Sequence, residues 1–565
     1  MHPSTRSTTS VVALATVLAL MAARTSAAAP WLVGNTNDSG PGSLREALAN
    51  AADGDTIGFE ISGTIALTSG QLMVTNNVVI DATNESVTVD GQQASRVFLI
   101  APGKTVAMSG LTIANGSSIS QGGGIWNQGS LTLTGCTLRD NWATLGGGGV
   151  YAKGSRAEPV VLSITDCIFR GNAAGTDNGS DGGGAVALVA VDHDSSGPRA
   201  DWLTIKNSVL TNNSASFGGA IAIRVNGGIG YMGWDEAYAG TTVMNSTLSD
   251  NRAAAPDMDS CGGAIAVTVS GDSIPSSWAD LTLVNCTLSG NVATNGNGIA
   301  CGGAVYGSVN DSCGLIVGIT NSTLSGNAAI APNGYGNGGA VATINLGGID
   351  GIVTLSHCTL SGNKDTAGTS GVLNDGGTLD LANNILANDP SGTNLVNGWI
   401  MGGGTVTSYG HNLSTDDGSG FLTAEGDMIN TDPMLAPLQD NGGPTWTCAL
   451  LTGSPAVDAG LVTGNLPATD QRGYPRIVHG TADIGAFESG FEGCFLTNVL
   501  SSANGMALEW TAFPMWQSTV MYSTNLVSMP FTILTNGMAY PANSYTDTVH
   551  AAAGYFFYRV SITPQ

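Results

Sequence analysis

The sequence predicts an all-β protein, a right-handed parallel β-helix in which short strands wind into a rod-like solenoid. Three observations support this prediction. A strand-and-turn motif recurs seven times between residues 131 and 363. A second motif, Gly-Gly-Ala followed by Val or Ile, lies between successive copies of the first. Apolar residues alternate within both motifs, as is typical of strands that bury one face.

Each copy of the first motif has alternating Leu, Ile or Val, then Cys or Ser, then Leu or Phe, and ends on Asn. The copies occupy residues 131–141, 162–172, 203–213, 241–251, 281–291, 317–327 and 353–363. Their final asparagines are spaced by 31 to 41 residues. Units of this size with turns but no helical period exclude a βα solenoid. We therefore expect every strand to stack on its equivalent in the next coil.

Two recurring polar positions are predicted to be structural. Asparagine tolerates left-handed backbone geometry and bonds to nearby backbone groups, so stacked turns should align the asparagines in a ladder. A ligand-binding row is the alternative. The ladder comprises Asn141, Asn172, Asn213, Asn251, Asn291, Asn327 and Asn363. The Cys or Ser of each copy should be a small residue in an inward column: Cys136, Cys167, Ser208, Ser246, Cys286, Ser322 and Cys358.

The second motif supplies a third strand in each coil. It begins at Gly183, Gly218, Gly262, Gly302 and Gly338. Between this strand and the next copy of the first motif lie insertions at residues 191–202, 226–240 and 270–280. Insertions at one corner of a solenoid often carry binding. Their aromatic residues are candidates for stacking on sugar rings or a partner surface: Trp202, Tyr231, Trp234, Tyr238 and Trp278. Alternatively, these aromatics cover small cores within the insertions.

The chain upstream should contain further coils and a cap. Strands are predicted at residues 56–61, 77–80, 86–89, 96–100 and 111–113. This gives ten to twelve coils, or a rod about 50 to 60 Å long. A capping box at Ser43-Leu-Arg-Glu46 opens a helix that should end near Gly54. Leu44, Leu48 and Ala51 give this helix an apolar face that covers the first coil.

The N-terminus predicts export. Residues 11–23 form an apolar run that is too short to span a membrane, and small residues follow it. We expect a signal peptide at residues 1–27, cleavage near Ala27 or Ala28, and no later membrane span. Such a protein would be secreted or displayed at the surface of a bacterial cell.

Composition narrows the choice of partners. The net charge is -25, only 10% of residues are charged, and the lysines are Lys104, Lys153, Lys206 and Lys364. This charge excludes nucleic acid as a partner, because few cations are present to replace phosphate counterions. It also disfavours polyanions such as pectate unless Ca²⁺ bridges the two negative surfaces.

The pattern divides the chain into four parts. They are the signal peptide, the capped β-helix at residues 28–390, distal coils and a closing region at 391–490, and a small sandwich at 491–565. Strands are predicted in the last part at residues 506–510, 519–522, 531–535 and 556–562. These favour a fibronectin-III-like β-sandwich, although the segment is short for that fold.

Motifs at both ends resemble the bacterial choice-of-anchor Q proteins. The opening motif is Ser39-Gly-Pro-Gly-Ser-Leu-Arg-Glu-Ala47. The closing motifs are Thr431-Asp-Pro-Met-Leu435, Asn441-Gly-Gly-Pro-Thr445, Gly453-Ser-Pro-Ala-Val-Asp-Ala-Gly460, Asp470-Gln-Arg-Gly473 and Ala482-Asp-Ile-Gly-Ala-Phe-Glu488. The resemblance spans residues 39 to 488 and implies a pectin-lyase-like right-handed β-helix on an exported protein.

The repeats are also similar to those of chlamydial polymorphic outer-membrane proteins, which are adhesins. The shared elements are Gly-Gly-Ala-Ile and Leu-x-x-Asn, and the Phe form of the second element occurs at Phe169-Arg-Gly-Asn172. This resemblance implies adhesion to a surface.

Because pectin-lyase-like folds include lyases and glycosidases, catalytic groups must be sought directly. Glycosidases need two carboxylates about 5 to 9.5 Å apart. The candidates are Asp192, His193 and Asp194 in one insertion and Asp235 and Glu236 in the next. Solvated acidic loops are the alternative. Gly410-His411-Asn412, Asp416-Asp417 and Asn430-Thr431-Asp432 occur in the reverse of the polygalacturonase order, so we attribute them to chance and to the closing motifs.

Metal and disulfide signals are weak. Residues 177–182 begin like a calcium loop but have Gly179 at the third position and Leu188 at the twelfth. We therefore expect no cofactor and no metal ligands, with calcium as the open alternative. Nine cysteines in an exported chain make disulfides plausible. Cys261 with Cys301 is the first candidate pair, and Cys448 with Cys494 is the second.

Three functions remain open at this stage. The first is an adhesive or structural surface protein that binds glycans or another surface partner through its corner insertions. The second is a polysaccharide lyase or glycoside hydrolase with a diverged site. The third is a non-catalytic carbohydrate-binding module.

Overall fold

The computed structural model describes residues 31–564, except 156–157, 176–180, 192–199, 228–236, 256–258, 272–276, 311–312, 349, 370, 463–465, 479, 491–495, 503–504, 511–515, 524–530, 540–541 and 550–556. Up to residue 414 these residues form a parallel β-helix, as the repeats predict. Corresponding strands of successive coils pair in parallel, so apolar residues stack in columns that fill the interior of the rod.

Two long sheets carry the first motif. Among the described residues, sheet A has 13 strands: Trp31–Val33, Asp55–Phe59, Val78–Asp81, Thr105–Ser109, Ser130–Thr134, Val161–Thr165, Asp201–Lys206, Tyr238–Met244, Trp278–Val284, Gly314–Thr320, Asp350–Ser356, Thr378–Ala382 and Thr405–Ser408. Sheet B follows it in each coil and has 12: Gly63–Ala66, Val87–Asp90, Thr112–Ala114, Thr137–Arg139, Ile168–Arg170, Val209–Thr211, Thr247–Ser249, Thr287–Ser289, Thr323–Ser325, Thr359–Ser361, Ile385–Ala387 and Leu413–Ser414. Twelve of the described sheet A strands are each followed by a strand of sheet B, so the rod has twelve coils, within the ten to twelve predicted, and the strand Trp31–Val33 precedes the first of them.

The remaining sheets complete each coil. Sheet D, which contains the Gly-Gly-Ala strands, has 11 described strands: Leu72–Val74, Phe98–Ile100, Ile125–Asn127, Val150–Lys153, Val186–Val191, Ile221–Asn226, Ile265–Ser270, Val305–Asn310, Val341–Leu346, Val372–Asp375 and Leu395–Asn397. Sheet C precedes it with eight short strands: Ser117–Ser118, Trp142–Ala143, Ala173–Ala174, Ser214–Ala215, Arg252–Ala254, Val292–Thr294, Ala328–Ile330 and Lys364–Asp365. Three strands form sheet E between sheets C and D: Ser260–Cys261, Ile299–Cys301 and Tyr335–Asn337.

Sheet C corrects the prediction of three strands per coil. Its strands are two or three residues long, which is too short for an alternating pattern to be visible in the sequence.

The Gly-Gly-Ala motif encodes the turn that enters sheet D. Gly262 has φ 69°, and a Cβ placed on it would lie 2.2 Å from the carbonyl oxygen of Ile265 and 2.7 Å from Cβ of Ala266. The turn therefore curls over the backbone and Cβ of the first outward residue of the strand. Glycine is required because it alone combines left-handed geometry with the absence of a Cβ.

The seven asparagines form a buried ladder. Asn251 is typical: its Nδ2 donates to Oδ1 of Asn291 at 2.9 Å and to the carbonyl of Leu210 at 2.9 Å. Its Oδ1 accepts from N and Nδ2 of Asn213, both at 3.0 Å. All seven side chains have no exposed surface. Each amide therefore satisfies backbone groups of a neighbouring coil, and the row presents no surface to a ligand.

Two details of this ladder differ from the sequence-based expectation. The left-handed residue of the turn is the one before each ladder asparagine, such as Asp140, Asn212 or Asp250, with φ near 56°. The ladder also continues beyond the seven copies, since Asn363 donates to Asn388 and Asn388 donates to Asn394.

The Cys or Ser column is buried and is also a row of hydrogen-bond acceptors. Oγ of Ser208 accepts from the backbone N of Cys167 at 3.1 Å, and Oγ of Ser246 accepts from N of Ser208 at 3.1 Å. Ser322 does the same for Cys286. A small side chain with an acceptor atom is needed there, because the backbone N–H at this corner points away from the strand ladder.

The helix Leu44–Asn50 caps the rod near its first coil. Oγ of Ser43 accepts from N of Glu46 at 3.2 Å, and Oε2 of Glu46 accepts from N of Gly42 at 2.6 Å. Leu44, Ala47 and Leu48 are buried against the core. The helix ends at Asn50 with Ala51 as its C-cap, earlier than the predicted end near Gly54.

Residues 431–490, here called the closing segment, run back along the outside of sheet B. Gln471 is buried there: its Nε2 donates to Oγ1 of Thr287 at 2.9 Å, and its Oε1 accepts from Oγ1 of Thr323 at 2.6 Å. Further along, N of Ala486 donates to Oγ1 of Thr359 at 3.0 Å. The segment thus covers the side of several coils, while Leu422, upstream of it, packs into the main core.

Buried ionisable side chains hold the closing segment together. Nε of Arg472 donates to Oδ2 of Asp470 at 2.8 Å. Nη1 of Arg476 lies 3.8 Å from Oε2 of Glu488, and both side chains are almost fully buried. Burial, together with the nearby Asp483, raises the pKa of Glu488 to about 8.

The C-terminal residues form a small antiparallel β-sandwich. One sheet contains Leu496–Ser502, Gly505–Trp510 and Ser544–Asp547, and the other contains Thr532–Ala539, Trp516–Ser523 and Phe557–Pro564. Leu508, Trp510 and Val520 form its buried core. Two of these strands, Leu496–Ser502 and Ser544–Asp547, were not predicted from the sequence.

Candidate functional site

Three of the predicted aromatic residues lie on sheet A, not in corner loops. Trp202 is the second residue of Asp201–Lys206, and Tyr238 and Trp278 are the first residues of their strands. The strands therefore begin earlier than the repeat motif indicates. Tyr231 and Trp234 lie outside the described residues.

Strand alternation turns these three side chains outward. Leu203, Ala239 and Ala279 follow the aromatic residues and are buried in the rod. Trp202 is 37% exposed, and Tyr238 and Trp278 are partly exposed. The three residues come from three successive coils, so they form a continuous aromatic surface on one face of the rod.

Register brings the three rings and one carboxylate together. Tyr238 pairs with Trp278, and the ring centroids of Trp202 and Tyr238 lie 5.7 Å apart in an edge-on arrangement. The Tyr238 hydroxyl donates to Oδ2 of Asp280, which is in register with Gly240. Burial raises the pKa of the Tyr238 phenol, and the hydrogen bond to Asp280 raises it further. We call Trp202, Tyr238, Trp278 and Asp280 the aromatic patch.

Each indole of the patch covers a glycine of the next coil. Gly240 is in register with Trp202, and Gly314 is in register with Trp278. A Cβ on Gly240 would lie 2.3 to 2.9 Å from Cζ3, Cε3 and Cη2 of Trp202. Three neighbouring ring atoms at such similar distances show that the face of the indole lies against the strand. The opposite face of Trp202 is consequently turned outward.

Sequence analysis missed Asp280 and the two glycines as parts of the site. The sequence analysis assigned Asp280 to an insertion loop. The glycines have no side chain, so their residue type does not indicate a binding role. One feature of the sequence could have indicated the two glycines. Gly240 and Gly314 occupy outward positions on strands, where bulkier residues are favoured.

The candidate catalytic residues cannot be placed. Asp192, His193, Asp194, Asp235 and Glu236 all lie outside the described residues, as do most of the residues of the possible calcium loop. Within the described ranges, no three His, Cys, Asp or Glu side chains cluster as a metal site requires.

In the described residues, the cysteines of the first candidate pair are not bonded to each other. Cys261 and Cys301 are in register on adjacent strands of sheet E, but both are buried free thiols in hydrogen-bond contact. That contact, followed by burial, raises the pKa of Cys301. Cys448 is a buried free thiol near Ser325 and Ser361, and Cys494 lies outside the described residues. Cys261 and Cys301 thus lie side by side, and the structure describes them as thiols.

A second polar cluster lies on the outer face of sheet D. The Tyr151 hydroxyl donates to Oδ2 of Asp181 at 2.7 Å, and Nη1 of Arg224 lies 3.7 Å from Oδ1 of Asp181. Arg224 also lies over the ring of Phe217 at 5.6 Å. Tyr151 is 1% exposed, so this cluster ties neighbouring coils together and presents little surface to a ligand.

In the described part of the chain, no helix combines the length and hydropathy needed to cross a membrane. Neither a protein-family model nor a curated protein matches this chain.

Proposed function

We propose that the protein is an exported, non-catalytic adhesive protein that binds glycans through the aromatic patch on sheet A. The observation that carries this proposal is the pair of outward indoles, Trp202 over Gly240 and Trp278 over Gly314. An aromatic ring held flat on a rigid strand offers a large apolar face at little cost in conformational entropy.

Several further features support the proposal. Each strand that carries the patch begins directly after an insertion in the sequence, and insertions at one corner of a solenoid often carry binding. Asp280 supplies carboxylate oxygens that accept hydrogen bonds from hydroxyl groups. The signal-like N-terminus and the resemblance to exported β-helix proteins support a position at the cell surface or outside the cell.

The direct test is a glycan array and a pull-down on insoluble polysaccharides with the full chain. The double variant Trp202→Ala, Trp278→Ala should lose binding, because both stacking faces are removed. Trp142→Ala is the matched control, since Trp142 is 43% exposed but lies on sheet C, away from the patch.

Two results would contradict the proposal. Unchanged glycan binding by the double variant would place the site elsewhere on the molecule. A polysaccharide-degradation screen run in parallel that releases oligosaccharides would replace the adhesive function with the enzymatic alternative.

A further inference from the structure

The two glycines under the patch determine how the indoles lie. Any side chain at Gly240 or Gly314 would place its Cβ within 2.3 Å of the nearest ring atom of Trp202 or Trp278. Such a contact lifts or tilts the ring, so the flat orientation exists only with glycine at these positions. An indole that lies flat on the strand presents its ring face to a flat apolar face of a ligand, whereas an indole tilted away from the strand presents the edge of its ring.

The shape of the patch fits a sugar whose faces carry only C–H groups. A pyranose with equatorial hydroxyls has such faces, and its hydroxyls point outward around the rim of the ring. Asp280 lies at the side of Trp202 and Trp278, where it can accept from those rim hydroxyls. An axial hydroxyl would hold the sugar face away from a flat indole.

Charge favours a neutral ligand over an acidic one. The patch contributes the Asp280 carboxylate, and the whole chain carries a net charge of -25. The next cation along the Trp202 strand is Lys206, two outward positions and about 13 Å away. A uronic acid in the patch would therefore bring its carboxylate near Asp280, and on the described strands that carry the patch the one Lys or Arg is Lys206.

The arrangement of the rings sets the direction of the ligand. Trp202 and Trp278 are two coils apart, which is about 10 Å along the rod. Trp278 stands in the column of Tyr238, and Trp202 stands in the column of Gly240 and Asp280, two residues or about 7 Å to the side. A linear glycan that contacts both indoles therefore lies obliquely to the rod axis.

We infer that the aromatic patch selects a neutral, equatorially hydroxylated glycan that crosses both indoles obliquely to the rod axis, with Gly240 and Gly314 as specificity-determining positions. This inference rests on the proposed glycan-binding function. It adds the chemical class of the ligand, its orientation and the role of two residues that have no side chain.

The test compares glycine variants of the full chain by isothermal titration calorimetry. The probes are a β-1,4-linked glucose hexasaccharide and a galacturonic acid hexasaccharide, the latter with and without Ca²⁺. Gly240→Ala should weaken binding of the neutral probe about tenfold or more, because it removes the flat face but keeps every aromatic ring. Gly318→Ala is the matched control: Gly318 also faces outward on sheet A, and a Cβ there meets nothing within 4 Å.

Each outcome has a distinct meaning. Binding of only the acidic probe would overturn the ligand class and leave the glycan-binding function intact. Binding of the neutral probe with equal affinity by Gly240→Ala and Gly318→Ala would overturn the role of the glycines. Failure of the Trp202→Ala, Trp278→Ala variant to change the binding of any glycan would overturn the proposed function itself. Near-ultraviolet circular dichroism of each variant confirms that the rod is folded.

Discussion

Replacement of Asn251 by alanine should destabilise the rod far more than a typical surface change. The Asn251 side chain makes four hydrogen bonds within the buried ladder, to Asn213 twice and once each to Leu210 and Asn291. In the alanine variant, Oδ1 of Asn291 still accepts from the backbone N of residue 251, and Nδ2 of Asn213 still donates to the carbonyl of Phe169. The other two partner atoms lose their bond to this side chain, and an unsatisfied buried group costs about 1 to 3 kcal/mol, so the loss should be about 2 kcal/mol even at the low end of that range.

Asn245 provides a control in the same coil. It is only partly buried, and its Nδ2 donates to Oδ1 of Asn207 at 3.3 Å. Its φ of 49° is left-handed, so glycine fits its backbone. Asn245→Gly should therefore change the free energy of unfolding by less than about 1 kcal/mol.

Hydrogen exchange is the most informative assay, because a long solenoid need not unfold in one step. The backbone N–H of Asn213 donates to Oδ1 of Asn251, so its protection should fall in Asn251→Ala. Denaturant unfolding followed by circular dichroism gives the accompanying change in stability. A loss below about 1 kcal/mol, with the Asn213 amide still protected, would refute the assignment of the ladder as a main source of stability.

Three further predictions concern other parts of the rod. Burial raises the pKa of Glu488 from 4.5 to about 8, so between these pH values the folded protein keeps a proton that the unfolded chain has lost. The free energy of unfolding should therefore fall as pH rises from about 4.5 to about 8. Glu488→Gln should flatten this part of the plot of unfolding free energy against pH. Burial raises the pKa of Cys286 and of Cys358 to about 12, so neither thiol should be alkylated at pH 8 in the native protein. Both thiols should be alkylated in denaturant, and peptide mass spectrometry measures the extent of alkylation in each case. Gly362→Ala should cost only the left-handed penalty of about 1 to 2 kcal/mol, because its Cβ meets nothing within 4 Å, whereas Gly262→Ala should cost clearly more; equal thermal shifts would contradict this account of the turn.

The sequence determined the β-helix because a solenoid repeats the same environment in every coil. Positions that face the interior, such as Leu203 and Leu281, recur with one chemistry and are visible without coordinates. The ladder asparagines and the glycine turns were visible for the same reason, whereas the capping box at Ser43 was visible because it is a local sequence motif. Strands of sheet C were not visible, since two residues cannot display an alternating pattern.

The candidate site depended on tertiary structure. The sequence drew attention to Trp202, Tyr238 and Trp278 but placed them in loops, because the repeat motif begins after them. Only strand register shows that Tyr238 stands beside Trp278 and that Asp280 approaches the Tyr238 hydroxyl. Residues that are about 40 positions apart in the chain become neighbours through coil stacking, and insertion lengths hide that alignment.

The sequence by itself therefore determined the fold class, the columns that fill the rod and the residues that hold successive coils together. Tertiary structure decided which aromatic residues face outward together, that Gly240 and Gly314 lie beneath two of them, and that Cys261 and Cys301 meet as thiols. The physical reason is the difference between repeated and unique contacts. A contact made in every coil leaves a periodic pattern in the sequence, whereas a contact made once depends on a register that only the folded rod defines.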